Sequence, residues 1–173
     1  MAAMIPEFPR WTPFMPNALG DSLQFAPLPP RSDFSEFVSK LDIGDVRARF
    51  GFPVEAESLW PLLAPRIPDC RAIGAWNGRS LVGAGMLAKF APGQWEFALI
   101  VRSDLKRRRI GTALVHHAFA KARALGAGEV VAHVRSDNTA ARGLVRSLGF
   151  VAVGGPGLEQ FYAARLSTEQ TVG

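Results

Sequence analysis

Apolar residues in the second half of the chain follow two rhythms. Trp95-Glu96-Phe97-Ala98-Leu99-Ile100-Val101 and Glu129-Val130-Val131-Ala132-His133-Val134 are short runs rich in β-branched and aromatic residues, the pattern of strands. Between them Ala113, Leu114, Ala118, Ala122 and Leu125 recur at helical spacing, which predicts a helix over 110–125. A second helix starts at Asp137-Asn138, runs through Arg142, Leu144 and Val145 to Leu148, and is closed by Gly149-Phe150. Earlier in the chain, Arg71 to Trp76 and Ser80 to Phe90 read as strands joined by Asn77-Gly78, a strong hairpin signal. Pro92-Gly93 turns into the strand that carries Glu96. Ser32 to Phe50 reads as one or two helices, with Ser32 as a cap and Phe34, Phe37, Val38 and Leu41 on one stripe. Ala56 to Leu63 is a further helix carrying Leu59, Trp60 and Leu63. Val151-Ala152-Val153 and Glu159 to Leu166 are final strands around Gly154-Gly155-Pro156-Gly157. The order is helices, three antiparallel strands, helix, strand, helix, two strands, a mixed α/β class.

The first thirty-one residues break this regularity. Pro6, Pro9, Pro13, Pro16, Pro27, Pro29 and Pro30 exclude a regular helix or a central strand there. Phe8, Trp11, Phe14 and Phe25 are too apolar for a purely solvated tail, so 1–31 reads as an extended arm. It packs on the domain or on a second copy of the chain, which makes a homodimer a candidate assembly; a flexible tail is the alternative. The expected organisation is an arm over 1–31, one domain over 32–168 and a short tail over 169–173. A length of 173 residues suits one domain with a core of its own, and nothing is long enough for a second.

Composition narrows the class. With 48% hydrophobic and 20% charged residues, the chain reads as a globular protein. No apolar run approaches the roughly 20 residues that span a bilayer. The N-terminus lacks the basic-then-apolar order of a secretory signal. Cys70 is the only cysteine, so no internal disulfide forms, and a reducing cytoplasm is the expected location. Cys70 itself reads as a small buried hydrophobe rather than a nucleophile. No metal-ligand spacing occurs.

The net charge of +5 is concentrated at Lys106-Arg107-Arg108-Arg109, at the start of the 110–125 helix. Cations are unfavourable at a helix N-terminus. A multiply charged anion on the turn would reverse that, held by free backbone N–H groups and flanked by the side chains. Gly111 would let the backbone approach it closely. A solvated basic loop is the alternative. A nucleic-acid surface is disfavoured, because the cations form one cluster on a glycine turn and are not interleaved with aromatics along a groove.

Together, the Glu96 strand, the turn Lys106-Arg107-Arg108-Arg109-Ile110-Gly111, the helix after it, the next strand, Asn138-Thr139-Ala140-Ala141 and Leu148-Gly149-Phe150 resemble the GNAT acyl-CoA-dependent N-acetyltransferases. That family's turn is Arg/Gln-x-x-Gly-x-Gly/Ala; here Lys106 replaces Arg/Gln and Arg109 stands at the first glycine. Phe37-Val38-Ser39-Lys40-Leu41 and Val46-Arg47-Ala48-Arg49-Phe50, with Glu96-Phe97-Ala98, are similar to the bacterial protein-lysine acetyltransferase (Pat) subgroup. The resemblance covers about Ser32 to Leu166. It implies a GNAT-like acyl-CoA N-acyltransferase fold, a mainly antiparallel central sheet flanked by helices, with acetyl-CoA as cosubstrate. It places the cofactor's pyrophosphate on Lys106, Arg107, Arg108, Arg109, Ile110, Gly111 and Thr112, and its pantetheine along Leu99, Ile100 and Val101. On their own sequence those last three are core residues.

Glu96 is the candidate base. A carboxylate inside an apolar strand is expensive to bury and suits an acceptor of the ammonium proton; the alternative is a solvent-facing residue beside the Pro92-Gly93 turn. Asn138 either bonds the pantetheine or caps its helix. Arg142 is a candidate phosphate contact, and Arg135-Ser136-Asp137 is either an adenosine rim or a solvated loop. The tyrosine that many of these enzymes carry seven residues after the asparagine is Val145 here, and the one tyrosine, Tyr162, lies in the last strand. The acid for the leaving thiolate is thus unassigned, and water suffices for it. His116 and His117 read as surface residues and His133 as a satisfied core histidine. The acceptor implied is a primary amine: a protein lysine by the subgroup resemblance, with a small amine or amino acid as second reading. A non-catalytic acyl-CoA-binding module is the reading from another class.

Overall fold

The hairpin signal at Asn77-Gly78 falls at the turn between two strands of the sheet. In the computed structural model, which describes residues 23–28, 33–63 and 69–166, Asn77 pairs with Ser80. The loop is therefore Gly78-Arg79, one residue later than the sequence suggests. Only its first residue has positive φ (59°), which glycine supplies without strain. Most of the proline-rich segment, the Ser32 cap and the 169–173 tail lie outside the described residues, as do the side chains of Trp60 and Leu63.

The strands are β1 (Gln24–Pro27), β2 (Cys70–Asn77), β3 (Ser80–Ala91), β4 (Gln94–Val101), β5 (Glu129–Arg135), β6 (Val151–Gly154) and β7 (Glu159–Arg165). The helices are α1 (Ser35–Ser39), α2 (Ile43–Phe50), α3 (Ala56–Leu63), α4 (Ile110–Ala124) and α5 (Thr139–Ser147). One sheet runs in the order β1-β2-β3-β4-β5-β7-β6. Every neighbouring pair is antiparallel except β4 and β5, which the crossover through α4 makes parallel. This is the mixed α/β sheet expected from the element order.

The arm contributes to that sheet. Residues 24–27 pair with β2 from Gln24↔Trp76 to Pro27↔Ile73, so the folded domain begins before residue 32. Pro27 is tolerated because it lies on an edge strand with its nitrogen turned away from β2; the ladder continues past it, the Leu28 N–H donating to the Ala72 carbonyl at 3.1 Å. Leu23 and Leu28 flank the strand and are buried. Phe25 stacks on His117 of α4, with ring centroids 4.8 Å apart. The two α4 histidines are consequently half-buried rather than on the surface. Burial holds both imidazoles below the usual histidine range, reinforced by Arg123 at His116 and by Lys121 at His117.

Two layers cover the sheet. On one face α4 buries Ile110, Leu114, Val115, Ala118, Phe119 and Ala122 against Leu87, Trp95, Phe97, Val130 and Tyr162. The helix rides close to β3: a Cβ on Gly83 would lie 2.8 Å from Leu114 Cδ1. Leu125, expected on the apolar stripe, is instead exposed at the helix C-cap, where the chain turns away through Gly126. On the other face Phe34, Phe37, Val46, Val54 and Leu59 pack on Leu81, Ala84 and Ile100. That second cluster stops at β4, which leaves the same face of β5 and β7 to form a groove. Among the described residues no helix is long and apolar enough to cross a membrane.

Removing residues 1–31 takes β1 away and uncovers Ile73 and Ala75. Burial of Leu23 and Leu28 alone is worth about 1.5–3 kcal/mol each. The truncated protein should therefore unfold at a clearly lower urea concentration than the full chain. Coincident unfolding curves would show that β1 contributes nothing to stability.

Candidate active site

The parallel ladder between β4 and β5 is short. Gln94 pairs with Glu129, Trp95 with Val130 and Glu96 with Val131, and there it ends. Beyond that point β4 stays with β3 as far as Val101↔Gly83, while β5 follows β7 along its whole length. The two strands therefore fork immediately after Glu96. From Phe97 to Val101 the β5-facing side of β4 has no ladder partner, so its backbone groups are available in the cleft. Leu99 and Val101 turn their side chains toward the α4 layer, and Ile100 toward the opposite cluster. The three are thus partly or fully buried by side chain along a strand edge that is unpaired by backbone.

The basic turn sits at the mouth of this fork. Arg107 (φ 61°) and Arg109 (φ 62°, ψ 15°) are both left-handed. For a residue with a Cβ that conformation costs roughly 1–2 kcal/mol. Arg109, at the position where a glycine is usual, adopts the glycine conformation regardless. Left-handed residues ahead of a helix turn successive N–H groups into a concavity that suits an anion. No side chain caps α4, so the N–H groups of its first turn keep no internal acceptor. Gly111 lets α4 pack closely on α5 and β4: a Cβ there would lie 3.2 Å from Leu144 and 3.9 Å from Leu99 and Val101.

The four cations of the turn divide. Arg107 and Arg108 are exposed and have no ion-pair partner among the described residues, and Arg109 is exposed beside them. Lys106 points elsewhere. Its Nζ donates to Asp45 Oδ1 of α2 at 2.5 Å, and the other Asp45 oxygen accepts from Ser103 Oγ. The Asp42 N–H in turn donates to Ser103 Oγ at 2.7 Å. Lys106 thus ties the turn to α2. Ile110 is buried and anchors the helix start, with only its backbone at the turn surface.

Glu96 occupies the crotch of the fork. Its carboxylate does not face the solvent beside Pro92-Gly93 but lies half-buried on the face opposite α4, with Oε1 3.4 Å from His133 Nδ1. Arg49 of α2 approaches from the other side. Burial pulls the Arg49 guanidinium below its ordinary pKa, and the Glu96 carboxylate pulls it back up. The Arg49 Nε is closed to solvent and has no hydrogen-bond partner. His133 is not the core histidine expected from the sequence. Val130, Ala132 and Val134 face the α4 core, and the period of two turns His133 to the opposite face, where Val131 is buried but His133 is exposed. There its ring meets Phe161 at 4.3 Å and Phe90 at 5.5 Å, both edge-on. His133 could have been found by strand alternation. Arg49 carried no local signal, because only the packing of α2 on β4 buries it.

Around the β5–α5 loop the polar groups hold one another. Asn138 caps α5, its Oδ1 accepting the Ala141 N–H at 3.0 Å. Arg142 Nη1 donates to the Ser136 carbonyl at 2.9 Å, while its Nε is buried without a partner. Arg135 forks onto Asp137 at 3.1 and 2.8 Å. This loop and α2 enclose a polar cavity of about 360 Å³ that includes Arg47, Arg135 and Asn138. Tyr162 is wholly buried, its hydroxyl donating to Gln160 Oε1, and Val145 is buried in the same core.

The model of the acetyltransferase (GNAT) family matches residues 42–150. The fold resembles the GNAT domain of S. lividans PAT, with a TM-score of 0.77 at 16% identity, over 87% of this chain and 94% of that one. It also resembles the PaiA N-acetyltransferase of Thermoplasma acidophilum solved with coenzyme A, with a TM-score of 0.67 at 17% identity, covering 84% and 99% of the two chains. An acetyltransferase from Bacillus subtilis, also in complex with coenzyme A, gives a TM-score of 0.64 at 16% identity over 84% and 100%. Comparison with curated protein sequences finds no match.

Proposed function

Because this chain belongs to the GNAT acetyltransferase family, we propose that it transfers the acetyl group of acetyl-CoA to a primary amine, with Glu96 as the base. The observation that carries this reading is the fork: it opens at Glu96↔Val131, under the turn that precedes α4.

The residues present suit coenzyme A. The left-handed turn and the uncapped first turn of α4 form a cradle for a pyrophosphate, with Arg107 and Arg108 beside it. The unpaired edge of Leu99, Ile100 and Val101 offers pantetheine the partner that β5 withholds. Asn138 belongs to the cap of α5, and Arg142 braces the Ser136 loop, so both shape the far wall of the cleft. Lys106 supports the turn through Asp45.

Acetyl-CoA supplies an acyl carbon made electrophilic by its thioester. The chain's own groups do the rest. Glu96 takes a proton from the incoming ammonium, and the freed lone pair forms the C–N bond. Backbone N–H groups on the open edge of β4 face the developing charge on the carbonyl oxygen. The C–S bond breaks with its electron pair on sulfur, and the second proton that the nitrogen sheds as the amide forms passes through water to the thiolate. Buried Tyr162 is committed to Gln160 and stands outside this chemistry. His133 steadies the Glu96 carboxylate, and Arg49 offers it an opposite charge.

The Pat-like helices support a protein lysine as acceptor, whereas the bounded groove beside Glu96 supports a small amine. A protein that binds coenzyme A but acetylates no amine would be the binding-module alternative.

Substituting Gly111→Asp adds bulk and negative charge to the cradle, so calorimetric titration with coenzyme A should lose its binding signal. Unchanged affinity would remove the pyrophosphate from this turn. Glu96→Gln should lower acetyl transfer at neutral pH by about 10²–10⁴-fold and leave coenzyme A affinity nearly intact. The deficit should shrink as pH rises and more of the amine is already neutral. Full activity of the Glu96→Gln variant at neutral pH would place the base elsewhere.

A further inference from the structure

On the face of β5 and β7 that the helices leave uncovered, a groove of about 350 Å³ includes His133, whose Nδ1 lies 3.4 Å from Glu96 Oε1. Its walls include Phe90, Val131, His133, Val153 and Phe161, and its end is closed by Gln94, whose Nε2 donates to Glu129 Oε1 at 2.6 Å. Phe90 and Val153 are 52% and 47% exposed, a poor arrangement for a large apolar side chain with nothing to bury it. They stand next to His133, so the apolar rim and the carboxylate belong to one continuous site. Among the described residues no lysine or arginine lines the groove, while Glu129 lies in it and Glu96 adjoins it beside His133. Its volume is that of a small-ligand pocket.

We propose that this groove holds the body of the acceptor, and that the acceptor is a small amine carried on an aromatic or branched apolar group. The apolar body lies against Phe90 and Phe161. Its ammonium lies toward Glu96, beside His133. Burying the body removes the two phenylalanines from water. The negative faces of the rings and the carboxylates favour the cation over a neutral or anionic ligand. A polar amine of the same length gains only the charge contact, so selection comes from the groove and not from Glu96. This inference rests on the acetyl-transfer reading above, but the groove's occupancy is measurable without turnover.

The test uses the full chain with 2-phenylethylamine, with ethanolamine as the polar control and with a lysine-containing peptide. Turnover is followed as thiol release from acetyl-CoA, and binding by calorimetry on the protein loaded with coenzyme A. The expected kcat/KM for 2-phenylethylamine is at least about tenfold above the other two. Phe90→Ala, at a half-exposed site, should raise its KM by about tenfold and leave coenzyme A affinity within about twofold. The milder Phe161→Leu should act in the same direction. Equal turnover of all three amines, a preference for the peptide, or indifference to both variants would overturn the proposal. If no amine is acetylated, binding of 2-phenylethylamine that weakens in Phe90→Ala upholds the groove while the acetyl-transfer reading falls. The absence of both turnover and binding overturns both.

Discussion

The parting of β4 from β5 organises this molecule. A parallel pair that stayed in register along its length would bury both strand edges and leave a closed sheet. Here the ladder holds for three residue pairs and is then abandoned, because β5 takes β7 as its full-length partner while β4 keeps β3. An unpaired strand edge inside a protein is costly unless something satisfies its N–H and C=O groups. Tolerating that edge amounts to a standing requirement for a peptide-like ligand. In the function proposed above, the pantetheine arm of coenzyme A, with its two amides, is that ligand.

The other features of the site are arranged around that fork. The α4 layer closes it on one side, through Leu99, Val101 and Leu144, and presents the uncapped helix end at its mouth. The α2 layer closes the other, tied to the turn through Lys106, Asp45 and Ser103 and bringing Arg49 against Glu96. The carboxylate sits at the last paired position, where the strands begin to diverge. It is held by the sheet on the paired side and reaches free space on the other. A base fixed to the rigid end of a cleft stays in one place relative to a ligand lying along the open part.

Of the three described non-glycine residues with a left-handed backbone, Asp69, Arg107 and Arg109, two lie in this same region. Two of the arginines in the basic turn take a left-handed backbone that glycine would adopt without cost. The turn keeps the conformation and adds charge, which suits a concavity built to hold a doubly charged group. Two buried nitrogens, Arg49 Nε and Arg142 Nε, have no hydrogen-bond partner among the described residues. Unsatisfied groups of this kind are rare in a folded protein and concentrate where a ligand or a charge partner is expected.

The sequence by itself determined the elements and their order. Apolar periodicity is a local property, and it placed β4, α4, β5 and α5 to within about a residue, together with the basic turn and Gly111. It also picked out Glu96, because a carboxylate in an apolar strand is conspicuous without any structure. Tertiary structure alone decided what each side chain meets. Lys106 reads as part of the anion site until α2 brings Asp45 to it, and His133 reads as core until the helices stop short of β5 on that face. Residues 24–27 look like tail until β2 offers an edge to pair with. Arg49 becomes a neighbour of Glu96 only across the 47 positions that separate them in the chain. The physical reason is one of range. Propensity and periodicity act over a few residues, whereas burial, ion pairing and strand partnership are set by distant segments that meet only when the chain is folded.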